Sequence, residues 1–247
     1  MARAAVRRRL TWQRAEVSGT RRESARAWRL GLAPPDWPGH VPGQHLDVRL
    51  TAEDGYTAQR SYSIASAPRA GHVELVVERL DDGEVSPYLT DVLVPGDLVE
   101  LRGPIGGYFV WPDDAAAVQL VAGGSGVVPF LSMLAARRQR GAGGEVRLLY
   151  SARTLEDVIG REELAEPGAG AQVVLTLTRG APAGWAGPTG RVDRAMLAAH
   201  ALPAAARPRV LVCGPTGFVE AVARELLALG HEPAQVRTER FGATGGQ

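Results

Sequence analysis

The periodicity of this chain changes once, near residue 113, and that change constrains the fold more than any other feature. Before it, apolar and polar residues alternate in short runs: "AEVSGTRR", "ARAWRLGLA", "QHLDVRL", "RSYSIAS", "HVELVVERL" and "DLVELRG". A period of two sends successive side chains to opposite faces, as in a half-buried strand. Turn-forming stretches such as "PDWPGHVPG", "EDG" and "VPGD" separate the runs. Six short strands with Gly/Pro turns predict a small antiparallel β-barrel over residues 1–113.

After "WPDDAAA" the pattern is different. "VQLVA" is a continuous apolar run, as in a strand buried on both faces, and "VPFLSMLAARRQR" then has helical spacing with Pro129 in its first turn. Four more strands follow: "EVRLLYSA", "AQVVLTLTR", "RVLVCG" and "AQVRTERF". Helical runs at 155–166, 191–202 and 215–230 lie between them. Strands alternating with helices predict a five-stranded parallel, doubly wound sheet over residues 114–247. The fold class is thus β followed by α/β.

Composition excludes several chemistries. The formal charge of the 247 residues is +1, which gives no global attraction to nucleic acid. All 28 Lys/Arg positions are arginine, so a lysine Schiff base and a P-loop lysine are both absent. The one cysteine, Cys213, cannot form an internal disulfide, a four-cysteine cluster or a zinc site within these residues. No metal site is expected. No apolar run reaches the length of a membrane span, and the basic start, with Arg7, Arg8 and Arg9, lacks an apolar core for a secretory signal. A cytoplasmic location is expected, with the three arginines as a solvated face or a frayed end in preference to a docking site.

Four stretches carry chemistry. In "VAGGSGVVPF", Gly123, Gly124 and Gly126 stand between a strand and a helix. They form either a tight βα turn or a place where backbone N–H groups approach a pyrophosphate. "VCGPTGF" places Cys213, Gly214 and Pro215 on the same carboxyl edge of the sheet, where open α/β sheets bind ligands, although a lone cysteine is also a common small core residue. "DDGEVSPYL" is a short turn able to hold phosphate or merely to cap, and "GPIGGYF" bends the chain where the barrel ends. The run "QRSYSIASAP" packs a cation, a flat ring and two hydroxyls into four residues, as a site for a flat, phosphorylated ligand would.

These motifs, in this order, resemble the ferredoxin–NADP reductase superfamily of flavin-dependent reductases, and the resemblance covers nearly the whole chain. "RSYS", "GEVSPYL", "GPIGGYF", "GGSGVVP" and "CGP" match its successive signatures. The resemblance implies FAD as cofactor. Arg60 would pair with its pyrophosphate, Tyr62 would stack on the isoalloxazine, and Ser63 would bond near the hydride-accepting nitrogen. Ile64, Val77, Gly83, Val85 and Ser86 would complete the flavin site. Gly124, Ser125, Gly126, Pro129, Gly214 and Pro215 would surround the nicotinamide coenzyme, with Cys213 near its ring. "TERFG" resembles the family's C-terminal acid and aromatic. It assigns Glu239 beside the transfer site and Phe241 as the ring over the flavin, though six residues follow Phe241 here. Tyr62, Ser63, Cys213, Glu239 and Phe241 would thus be the residues at the reacting atoms.

Thr178, Arg179 and Arg191, with Arg153 assisting, would receive a 2′-phosphate and favour NADPH, NADH being the alternative. The expected activity is transfer of hydride from NAD(P)H to FAD, and then of electrons to a separate acceptor, a ferredoxin-like or other redox protein. A flavin or quinone reductase acting on a small molecule is one alternative. A flavin-binding module without turnover is the other.

Overall fold

The computed structural model describes residues 10–111, 117–141 and 144–242. The expected domain boundary at 113/114, the Arg7–Arg9 cluster and the tail after Gly242 lie outside the described residues. The barrel strands are β1 (Gln13–Arg22), β2 (Ala27–Ala33), β3 (His45–Thr51), β4 (Thr57–Ser63), β5 (Val73–Glu78) and β6 (Leu98–Ile105). They pair antiparallel in the order β4-β3-β6-β1-β2-β5. A bridge between Ile64 and Leu75 joins the two ends of that order and closes the barrel. Closure removes free edges and lets the inward residues of every strand share one core. Leu30, Leu46, Leu75 and Leu101 meet there with at most 1 % exposure.

The second sheet holds β7 (Ala117–Gly123), β8 (Glu145–Ala152), β9 (Ala171–Leu177), β10 (Arg209–Pro215) and β11 (Val236–Phe241), all parallel, in the order β11-β10-β7-β8-β9. The central β7 is buried from Val118 to Gly123, because helices cover both faces, and its one polar residue, Gln119, is hydrogen-bonded to the Leu120 carbonyl and the Leu202 N–H. The chain builds outward from β7 on one side and then returns to its other side at β10. The carboxyl ends of β7 and β10 therefore form a topological switch point, where a crevice opens.

The helices are α1 (Val128–Arg140), α2 (Arg161–Ala165), α3 (Arg194–His200) and α4 (Thr216–Ala228). Two are shorter than their sequence pattern suggests. The run 155–166 is one tight turn, Leu155–Asp157, and then α2. Val158 and Ile159 bury in the sheet's core, and Gly160 takes φ +70° to pass close to Leu131, so the helix cannot continue. The run 191–202 starts only at Arg194, because the Asp193 side chain accepts from the Met196 N–H (2.8 Å) and caps the helix there. In the barrel, the strand read as 60–66 runs from Thr57 to Ser63.

An ionic seam joins the two sheets. The Arg29 guanidinium, on β2, donates to Glu23 (2.8 Å), Glu74 (3.0 Å) and Glu163 of α2 (3.0 Å). Glu23 also accepts from the Gly160 N–H, and the Ala25 N–H donates to the Glu156 carbonyl. Burial alone would raise the Glu23 carboxyl, but Arg29 and Arg21 hold it below its usual range. Further along, Ser132 of α1 donates to the Ser66 carbonyl (2.6 Å), and the Phe109 and Phe130 rings lie 5.9 Å apart.

Candidate active site

The seam leaves a cleft of about 1030 Å³ between the sheets. Its barrel wall is the end of β4 and the turn after β5. Arg60, Tyr62 and Ser63 line it, with Gly83, Val85 and Ser86. Tyr62 stands opposite Leu46 on β3 and packs against the barrel core, and this burial pushes its phenol up to about 12. Its ring is therefore a neutral, held surface at neutral pH, suited to stacking. Ser86 is held inward, accepting from the Leu80 N–H (3.1 Å), and a Cβ at Gly83 would meet Ser86 Oγ at 2.8 Å. The turn is thus folded tightly on itself, with glycine required at its centre. Arg60 Nη2 donates to Glu84 (3.1 Å), and the Tyr56 hydroxyl donates to the same carboxylate (2.7 Å).

The opposite wall comes from the carboxyl ends of the parallel strands. Gly123, Gly124 and Ser125 follow β7, and Ser125 donates across the cleft to Glu78 at the end of β5 (2.8 Å). Arg153, Thr178, Arg179 and Arg191 line the far end. Their convergence is set by the backbone. The Arg179 N–H donates to the Arg153 carbonyl (2.8 Å), and the Gly190 N–H to the Leu177 carbonyl (2.9 Å). Arg153 and Arg179, just past the ends of β8 and β9, and Arg191, in the loop before α3, are thereby drawn together, all exposed, and none is paired with a carboxylate among the described residues.

Pro215 and Phe241 also line the cleft, side by side in the β10–β11 register. Phe241 at the same time packs against the sheet's core. Other predicted residues lie outside the lining. Ile64 and Val77 are fully buried in the barrel core, and Pro129 is buried in the first turn of α1. Gly126 and Gly214 pack against backbone and ring instead of facing the cleft. Cys213 is 1 % exposed, and burial, followed by the facing Glu239 carboxyl, pushes its thiol up. Glu239 is the register partner of Cys213, and its Oε2 is sealed with no hydrogen-bond partner. Burial raises its carboxyl to about 7.

Sequence reasoning passed over Glu78, Glu84, Arg26 and Phe218, all of which line the cleft. Glu84 and Phe218 lie inside quoted motifs. Glu78 and Arg26 have no local signal, since they reach the cleft only through pairing of distant strands.

The donor set fits a dinucleotide flavin and a nicotinamide coenzyme. A tight glycine turn and an arginine stand beside a held ring on one wall. An open glycine turn and three free arginines stand on the other. The comparisons agree. Residues 18–110 match the model of an oxidoreductase FAD-binding domain, and residues 120–224 that of an oxidoreductase NAD-binding domain. An NADH-cytochrome b5 reductase 1 of Aspergillus terreus is 32% identical over 214 residues, covering 82% of this chain and 71% of that protein. A glycine betaine monooxygenase reductase subunit of Chromohalobacter salexigens is 33% identical, but this chain spans only 56% of its length. The flavohem-like FAD/NAD-binding domain of a nitric oxide dioxygenase from Vibrio cholerae superposes with a TM-score of 0.84 at 27% identity, over 94% of this chain and 99% of that one.

The fold and cleft are those of a two-domain flavin reductase. The chain belongs to the ferredoxin–NADP reductase family and is an NAD(P)H-dependent FAD oxidoreductase. No described helix is long and apolar enough to cross a membrane.

Proposed function

We propose that this protein takes hydride from NADPH, in preference to NADH, and passes electrons on to a separate redox protein. When bound, FAD supplies the conversion between a two-electron hydride and single electrons. The residues of the chain bind, orient and shield. Arg60 and the Gly83–Ser86 turn hold the flavin phosphates. Tyr62 and Ser63 would hold the flavin ring, the one by stacking and the other by a hydrogen bond. Phe241, with Pro215 beside it, would shield the flavin until the nicotinamide takes its place. Glu239, two residues before Phe241 on β11, is a largely buried carboxyl, and this burial raises it to about 7.

The observation that carries the coenzyme choice is the group of Arg153, Arg179 and Arg191 without carboxylate partners at one end of the cleft. Unpaired guanidinium forks suit a 2′-phosphate, and Asp157, which also lines the cleft, is engaged by the Thr154 N–H and hydroxyl. The names of the relatives support a protein acceptor: cytochrome b5 in one and a monooxygenase in another.

Steady-state kinetics with both coenzymes and a dye acceptor test the choice. Arg179→Ala should lower kcat/KM for NADPH by roughly tenfold, the loss of one charge-assisted contact, and leave NADH nearly unchanged. An unchanged ratio between the coenzymes would remove the assignment. Assays with small ferredoxins, a cytochrome b5, free flavin and a quinone test the acceptor. Rapid reduction of free flavin alone would replace the protein acceptor by a small molecule.

A further inference from the structure

The glycines around the coenzyme turns are required for different reasons, and one reason is a side chain without an assigned role. Gly124 has φ +55° with open space around a Cβ, so its need is conformational. At Gly126 a Cβ would lie 2.3 Å from the Cys213 carbonyl oxygen, so backbone bars it. Gly123 has ordinary extended angles, φ −121° and ψ 119°, which any residue can adopt. A Cβ there is barred by the ring of Phe218, whose Cδ1 would be 2.8 Å away. The same ring atom would lie 2.9 Å from a Cβ on Gly214, at the end of β10.

Phe218 therefore sits on both turns of the switch point at once. It reaches them from the first turn of α4. Below, it packs against the core that includes Val121 and Val212, the strand residues just before those turns. Above, it remains half-exposed and lines the cleft. A ring serving only the core would be sealed from the cleft, and would not need a glycine on β7, where the backbone is one any residue adopts, to admit it; Gly214, at φ +156°, calls for glycine by its own backbone as well.

We propose that Phe218 is a positioning residue for the nicotinamide coenzyme. Its ring wedges the β7 and β10 turns at a set spacing and forms the floor over which the coenzyme crosses from one to the other. This rests on the coenzyme site assigned above. The missing side chain at Gly123 lets the ring touch the end of β7 directly, and the ring lies equally close to Gly214 at the end of β10. Loss of the ring lets the turns move independently, and the effect falls on coenzyme affinity and not on the flavin, which is held by the barrel.

Six variants test this: Phe218→Leu, Phe218→Ala, Gly123→Ala, Gly123→Ala with Phe218→Leu, Gly126→Ala, and Gly126→Ala with Phe218→Leu. Equilibrium titration with NADP⁺ and with NAD⁺, FAD content and kinetics with a dye acceptor are read in parallel. Gly123→Ala should weaken coenzyme binding roughly tenfold, with the loss in KM more than in kcat and with FAD content unchanged. Phe218→Leu alone should weaken binding by a smaller factor, and adding it to Gly123→Ala should bring affinity back to the level of Phe218→Leu alone, because the flexible branched chain can yield to a new methyl. The Gly126→Ala defect should not be rescued, since its obstacle is backbone. Phe218→Ala should itself weaken binding by a similar factor. Wild-type affinity in Phe218→Ala, or a Gly123→Ala defect untouched by Phe218→Leu, would overturn the proposal. A wild-type protein that binds neither coenzyme is a different result, and removes the coenzyme site itself.

Discussion

The seam between the two sheets and the cleft beside it both use arginine, and they use it in opposite ways. At the seam, Arg29 is 4 % exposed and meets three carboxylates. At the far end of the cleft, Arg153, Arg179 and Arg191 are exposed and meet none. Arg60 lies between these extremes, half-exposed with one carboxylate, Glu84. A buried charge must be neutralised where it stands, or desolvation destabilises the fold. An exposed charge loses little by remaining unpaired, and keeps its donors for a ligand. In this chain, where every Lys/Arg position is arginine, residue type cannot separate structural from binding cations. Their partners can.

The comparison is broken most severely at the seam. Arg29→Met should destabilise the protein by roughly 3–5 kcal/mol, because the buried Glu23 is left with only the exposed Arg21 as counter-charge and Glu74 and Glu163 lose their shared partner. Denaturant unfolding measures this, and the coenzyme preference of the remaining folded protein should not change. A loss below about 1 kcal/mol would mean that the seam charges are as weakly coupled as surface ones.

Next in size is Arg60→Ala. It should weaken FAD by about 1.5–3 kcal/mol, the range for a hydrogen bond to a charged group, measured as flavin released on dilution. Fold stability should change little, since the Arg60–Glu84 pair is half-exposed. Equal loss of fold and flavin would class Arg60 with Arg29.

Glu239 offers a test through pH. Its folded-state value of about 7 is above the usual 4.5, so the folded protein binds the proton more tightly than the unfolded chain. Stability from this group is full below about pH 4.5 and is lost as pH rises through about 7. The melting temperature of Glu239→Gln relative to the parent should therefore rise across that window, by the equivalent of about 1–3 kcal/mol. A flat difference would show that Glu239 is solvated and ordinary.

The smallest effect is at Phe241. Phe241→Ser should tighten the oxidised coenzyme by about 0.5–1.5 kcal/mol, the value of the stacking contact that the coenzyme otherwise displaces. Titration followed by the flavin spectrum measures it. Unchanged affinity would leave Phe241 as core packing alone.

Much of the fold was legible because its signals are local. Six alternating runs became six barrel strands, and α1 and β8 have the bounds that their apolar patterns suggest. The runs at 155–166 and 191–202 were overread, since apolar spacing does not show that Val158 and Ile159 turn into the core or that Asp193 caps. In the site, Arg60, Tyr62, Gly83 and Ser125 were legible from their motifs, and all line the cleft. Gly126 and Cys213 sit in equally clear motifs, yet they serve packing there.

What the sequence determined by itself was the class of each segment and the residues that could meet a dinucleotide. Periodicity and turn chemistry act over a few residues and survive without partners. Only the tertiary structure decided which arginines are free, which glycine makes room for Phe218, and that Glu239 is buried against Cys213. Each of those depends on strands distant in sequence being brought into register, and burial and pairing exist only once they are.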